Sequence, residues 1–209
     1  MKRRVGVLIS GRGSNMLSLV AAARGNDYPA EISLVLSNRP DAPGLKRATV
    51  PTAVVDHRPF RGDRAAHEAT IAERLDRAGV EIICLAGYMR LLTPFFVRRY
   101  AARILNIHPS LLPAFPGLDT HARAIAAGVK LHGCTVHLVT EATDDGPILA
   151  QAAIPVLPGD TEDALAARVL AQEHRIYPAA LAAFLTGRRA WAREDAALCN
   201  PLPPPVSPA

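Results

Sequence analysis

Residues 5–9, Val-Gly-Val-Leu-Ile, are a short apolar run that breaks into Gly11-Arg12-Gly13-Ser14-Asn15. Met16, Leu17, Leu19, Val20 and Ala23 then follow at helical spacing. A strand, a tight glycine loop and a helix are therefore expected in immediate succession, and this junction limits the chain to folds built from strand–helix units. The pattern repeats. Residues 31–36 (EISLVL) are a second β-rich run ending in Ser37-Asn38-Arg39-Pro40, residues 51–55 a weaker third, and residues 65–78 a helix with Ile71, Leu75 and Ala78 on its apolar side. Residues 80–85 read as a buried strand. Residues 94–100 read as a short helix opened by Thr93 as cap with Pro94 in its first turn, and residues 103–107 as a fifth strand. Five strands alternating with helices predict an α/β fold with a doubly wound, mostly parallel sheet and a Rossmann-like N-terminal half.

The character changes after Ile107, because the segment from His108 to Gly117 carries three prolines and suits a stiff loop. Residues 120–127 are expected to be a helix ended by Gly128. Residues 134–140 and 148–156 flank a Glu-Ala-Thr-Asp-Asp-Gly-Pro turn and are expected to pair as an antiparallel extension. Residues 161–185 read as a long amphipathic helix started by Asp160 or Thr161, which Pro178 should kink or restart. One catalytic domain over residues 1–190 and a proline-rich tail over 191–209 follow from this division of 209 residues.

Composition narrows the function classes. With 49% hydrophobic residues the bulk of the chain has enough apolar material to fold, and its apolar runs stop far short of a bilayer span. The basic start Met1-Lys2-Arg3-Arg4 leads into a strand rather than a leader with a cleavage site. Cys84, Cys134 and Cys199 are odd in number and lack a CxxC pair, which points to a reducing, cytoplasmic setting without disulfides. The net charge of +5 comes from arginines scattered along the chain with no interleaved aromatics, so small anions are the expected partners, not nucleic acid or membrane.

Three places can carry chemistry. At Gly11-Arg12-Gly13-Ser14-Asn15 the backbone can approach a ligand, and the free N–H groups of the following helix suit an anion, with Ser14 or Asn15 available as helix cap or phosphate donor. Met16 stands where a dinucleotide fingerprint needs its third glycine, and no acid follows the second strand, so a mononucleotide or sugar phosphate fits better. At the carboxyl end of the fifth strand, period two puts Asn106 and His108 on one face, an amide and an imidazole suited to an oxyanion and a moving proton. Asp144, in the turn Asp144-Asp145-Gly146-Pro147, presents a carboxylate that would favour a protonated His108 if the two are neighbours. No HExxH, CxxC or GxSxG pattern occurs, and His132 and His137 fall on opposite faces of their strand, so neither a metal nor a covalent nucleophile is expected.

The segments Ile9-Ser-Gly-Arg-Gly-Ser-Asn, Ser37-Asn38, Leu85-Ala-Gly-Tyr-Met-Arg-Leu-Leu and Leu105-Asn-Ile-His-Pro-Ser-Leu-Leu-Pro occur in that order. His132-Gly-Cys-Thr-Val-His, Asp144-Asp-Gly-Pro and Gln172-Glu-His follow. In these the chain resembles the folate-dependent phosphoribosylglycinamide formyltransferases of purine synthesis, from about residue 5 to residue 185. The resemblance implies the formyltransferase fold and transfer of a formyl group from the co-substrate 10-formyltetrahydrofolate to the amine of glycinamide ribonucleotide, without a metal. It implies Asn106, His108 and Asp144 as catalytic residues and Gly13, Ser14 and Asn15 as the phosphate loop, with Glu173 orienting the amine end of the substrate. Folate would lie along Met89, Arg90, Leu91, Leu92 and Asn106, its pterin against residues 141–144 and its acidic tail near Arg64. A homodimer is compatible with this reading. A formyltetrahydrofolate hydrolase or a non-catalytic sugar-phosphate module are the alternatives. A tRNA formyltransferase would need a further C-terminal domain and the hydrolase an N-terminal regulatory one, for which 209 residues leave no expected room.

Overall fold

A computed structural model describes residues 1–187. Five parallel strands, β1 (Arg3–Ile9), β2 (Ala30–Ser37), β3 (Thr52–Val54), β4 (Ile82–Leu85) and β5 (Ile104–His108), are followed by the antiparallel pair β6 (Leu131–Leu138) and β7 (Ile148–Pro155). The sheet order is β3-β2-β1-β4-β5-β6-β7. After β1 the chain winds outward to β2 and β3, then crosses back to β4 on the other side, so the carboxyl ends of β1 and β4 flank a topological switch point where ligands gather.

Period two in the strands sorts the core into two layers. Val5, Val7 and Ile9 face α1 (Ser14–Ala23) and α6 (Glu162–Thr186), meeting Met16, Leu19, Leu165, Val169 and Tyr177. Leu8, Leu36 and Ile83 face the opposite layer, meeting Ile71 and Leu75 of α3 (Arg64–Arg77) and Phe96 of α4 (Pro94–Arg99). The helix α5 (Thr120–Ala126) follows the proline-rich loop. The predicted elements are present to within a few residues at their ends, and Thr161 caps α6 by accepting from Ala164 N at 3.2 Å.

Several local expectations are corrected. The cap of α1 is Gly13, in the left-handed region at φ 70, and neither Ser14 nor Asn15 makes a side-chain cap bond; both are the first helical residues instead. Pro178 does not restart α6, which runs unbroken from Glu162 to Thr186. An interior proline costs about 3 kcal/mol in intrinsic terms, but this turn is anchored by burial. The Tyr177 hydroxyl, fully buried, donates to the carbonyls of Leu85 and Leu105 at 3.0 and 3.1 Å, and the Tyr28 hydroxyl donates to the Pro178 carbonyl at 2.8 Å. Thr93 precedes α4 as its cap residue, but its hydroxyl turns to Glu68. The tail over 191–209 and Cys199 lie outside the described residues. Among the described residues no helix is long and apolar enough to cross a membrane.

The five-residue helix α2 (Pro43–Arg47) has no amphipathic period to reveal it, yet it backs the glycine loop. Gly44 N donates to Gly11 O at 3.0 Å, and a Cβ at Gly44 would lie 2.8 Å from Ile9 Cδ1, 2.9 Å from Gly11 O and 3.1 Å from Gly13 Cα. Gly44→Ala is therefore expected to lower unfolding stability by about 1–3 kcal/mol, read as a lower urea midpoint at unchanged slope. An unchanged midpoint would show that the loop yields freely.

Candidate active site

The carboxyl edge of the sheet carries a cavity of about 520 Å³ at the β1/β4 switch point. Its floor is the glycine loop, Gly11 to Asn15, and its other walls include Asn38, Arg39, His57, Met89 and Arg90. Because Gly13 turns the chain directly into α1, the first backbone N–H groups of a ten-residue helix open on this space beside Arg12 and Arg90, an arrangement suited to an anion. Asn15 is 8% exposed and donates its amide to Glu173 Oε2 at 2.6 Å, while its own Oδ1 has no protein partner. Burial pushes the Glu173 carboxyl up, opposed by that amide. Glu173 thus joins the glycine loop through Asn15, from α6, which packs against α1.

The second group lies at the end of β5. Asn106 and His108 share a face, and antiparallel pairing sets Asn106 opposite His137 and His108 opposite Thr135. His137 donates Nδ1–H to Leu138 O at 2.9 Å, so its Nε2 accepts from Asn106 Nδ2 at 3.2 Å. Burial lowers the His137 pKa, opposed by the Leu138 carbonyl and by Asp144. That bond takes one of the two amide protons of Asn106 and leaves the other free. The His108 ring, 6% exposed, approaches Phe115 O with Nε2 at 3.0 Å and Asp144 Oδ2 with Nδ1 at 3.5 Å. Asp144 also lies 3.7 Å from His137 Nε2 and accepts from Gly117 N at 2.9 Å. It occupies the left-handed region at φ 54, a conformation that a short polar side chain tolerates better than most.

Asn106 and His108 from β5 and Asp144 from the turn after β6 meet in one cluster. His137 belongs with them; its signal is its place opposite Asn106, which needs the strand register and is invisible to metal-ligand spacing. His132 packs apart from the cluster against His121 and Phe115, and burial pushes its pKa down to about 4, which keeps it neutral. Among the described residues no group of three or more His, Cys, Asp or Glu could hold a metal ion. Cys84 and Cys134 are buried and unpaired, and burial pushes both thiols up.

The Met89–Leu92 strip follows β4, which lies between β1 and β5 in the sheet. Met89 is 71% and Leu91 61% exposed, an apolar surface beside the cavity, whereas Leu92 packs against the second core layer. Such a strip fits a flat heterocycle better than it fits water. Arg64 stands exposed at the first turn of α3 and is not among the residues that line the cavity; Glu141 of the facing loop is paired with Arg98 at 2.7 Å.

Residues 3–181 match the family described as Formyl transferase. A phosphoribosylglycinamide formyltransferase from Haemophilus influenzae is 44% identical over 189 residues, covering 89% of each chain. The trifunctional purine biosynthetic protein adenosine-3 of Drosophila melanogaster is 46% identical over 191 residues, 89% of this chain but only 14% of that much longer protein. Among solved structures, a phosphoribosylglycinamide formyltransferase from Brucella melitensis is 56% identical and superposes with a TM-score of 0.85, covering 90% of this chain and 97% of that one.

Proposed function

Because the chain belongs to the formyl transferase family, in its phosphoribosylglycinamide formyltransferase branch, we propose that it moves the formyl group of 10-formyltetrahydrofolate onto the amine of glycinamide ribonucleotide by direct attack. The observation that carries the reading is the meeting of Asn106, His108 and Asp144 at the carboxyl end of β5, on the same sheet edge as the anion loop that follows β1; none of the three is among the residues that line the cavity itself.

Each residue's task follows from its bonding. Asn106 has one amide proton committed to His137 and directs the second to the oxygen of the formyl group as it becomes an oxyanion. His108 is steadied by the Phe115 carbonyl at Nε2, which leaves Nδ1 facing Asp144; a proton held there serves the same oxygen. Asp144 offsets the charge on that imidazolium, takes the proton that the attacking amine must lose, and hands it on to the leaving nitrogen. Gly13, Ser14 and Asn15 hold the substrate phosphate at the start of α1, with Glu173 fixing Asn15 and the amine end. The Met89–Leu92 strip supplies the apolar bed for folate, and Arg90 and Arg64 supply positive charge for its acidic tail. When bound, the folate brings the activated formyl group.

Ser14→Ala tests the phosphate end. Losing one bond to a charged oxygen is expected to raise KM for glycinamide ribonucleotide about tenfold and leave the folate KM unchanged. Equal weakening of both substrates in steady-state kinetics would move the phosphate elsewhere.

A further inference from the structure

The folate strip has no regular structure of its own, yet it is tied at both ends by buried polar side chains that the mechanism above does not use. At its start, Met89 N donates to Ser10 Oγ at 2.8 Å, and Ser10 Oγ donates in turn to Asn38 Oδ1 at 2.6 Å. Ser10 and Asn38 are 6% and 3% exposed. At its end, Thr93 N donates to Glu68 Oε1 at 2.9 Å and the Thr93 hydroxyl donates to Glu68 Oε2. Glu68 sits on α3 and is 2% exposed. A carboxylate so deeply buried is costly unless its oxygens are bonded. Those described bonds go to the single residue that closes the strip, so the carboxylate's free energy is coupled to the strip's position.

We propose that Ser10 and Glu68 are positioning residues for the folate co-substrate: two posts, one just past the end of β1 and one on α3, that hold residues 89–92 in the shape a heterocycle can lie against. The inference rests on the folate reading given above. The Ser10 post continues through Asn38 to His57, whose Nδ1 lies 2.9 Å from Asn38 O; all three residues line the cavity, so the start of the strip and the cavity wall share one hydrogen-bonded chain. Neither post needs to touch the reacting atoms. Each acts through the Met89 or Thr93 amide, and a displacement of the strip of about 1 Å is enough to spoil alignment.

The test compares the purified wild-type chain with Ser10→Ala and Glu68→Gln, titrated separately with 10-formylfolate and with glycinamide ribonucleotide, alongside amide hydrogen exchange of the ligand-free protein. Glutamine keeps the volume of Glu68 but removes its charge and can accept from only one of the two Thr93 donors, so the Thr93 hydroxyl must turn round to accept from the new NH2. Each variant is expected to weaken 10-formylfolate about tenfold and to change glycinamide ribonucleotide by less than about twofold. In the free protein, exchange should quicken at Met89 in Ser10→Ala and at Thr93 in Glu68→Gln, a readout independent of turnover. Thr93→Val, which removes only the hydroxyl, replaces Glu68→Gln should that variant fail to fold. Unchanged folate affinity, or equal loss for both ligands, would overturn the inference. A wild-type chain that takes the ribonucleotide but not 10-formylfolate would overturn the folate reading, and the inference with it.

Discussion

Replacing His108 by alanine is expected to lower kcat on the order of a hundredfold or more while both substrates still bind. The ring is nearly buried at the last position of β5, so its loss opens a cavity and costs stability, but the strand itself is held by pairing to β4 and β6. What disappears is the one group that can place a proton between the developing oxyanion and Asp144. Asn106 remains, with its amide still oriented by His137, and supplies the residual stabilisation. Substrate affinities measured by calorimetry should stay within a few-fold of the wild-type values, since the oxyanion exists only in the transition state. Near-normal turnover would remove His108 from the chemistry, and loss of binding in parallel with turnover would recast it as a structural residue.

Asp144→Asn is expected to produce a fall in kcat of the same order, by a different route. Asparagine tolerates the left-handed conformation at φ 54 and retains an oxygen to accept from Gly117 N, so the loop keeps its shape. The charge is lost. The oxygen that accepts from Gly117 N is the one that faces His108 Nδ1, so the amide nitrogen falls toward His137 Nε2; what His108 loses is the facing negative charge, and no carboxylate remains to carry the amine proton. Single-turnover rates should fall with KM for both substrates little changed and with the thermal midpoint close to wild type. A variant with full activity would show that the carboxylate is only a loop anchor.

The parts of this site that were legible in the sequence share a physical reason. Val5, Val7 and Ile9 alternate into the core and stop at Gly11, so the chain must turn there, and Met16, Leu19 and Val20 restart it as a helix; the anion loop follows from local pattern alone. Asn106 and His108 are two apart on a strand, so their shared face needs no tertiary knowledge. The missing pieces depend on what lies across space. His137 joins the cluster because β6 runs antiparallel to β5 in the register that sets it opposite Asn106, while the separate pairing of β6 with β7 shifts register between Val136 and His137. Ser10 and Glu68 are lone polar residues whose partners, Met89 and Thr93, are 79 and 25 positions away in sequence. Pro178 reads locally as a point where α6 could restart, yet the helix continues through it, where the Tyr177 and Tyr28 hydroxyls bond to Leu85, Leu105 and Pro178.

The most direct measurement follows folate absorbance with the purified chain and 10-formyltetrahydrofolate, first in water alone and then with glycinamide ribonucleotide added. Amine attack guided by Asn106, His108 and Asp144 gives loss of the formyl cofactor only after the ribonucleotide is added, with one formylated product formed per formyl group consumed. Loss of cofactor at the same rate without the amine would make water the acceptor and contradict the account.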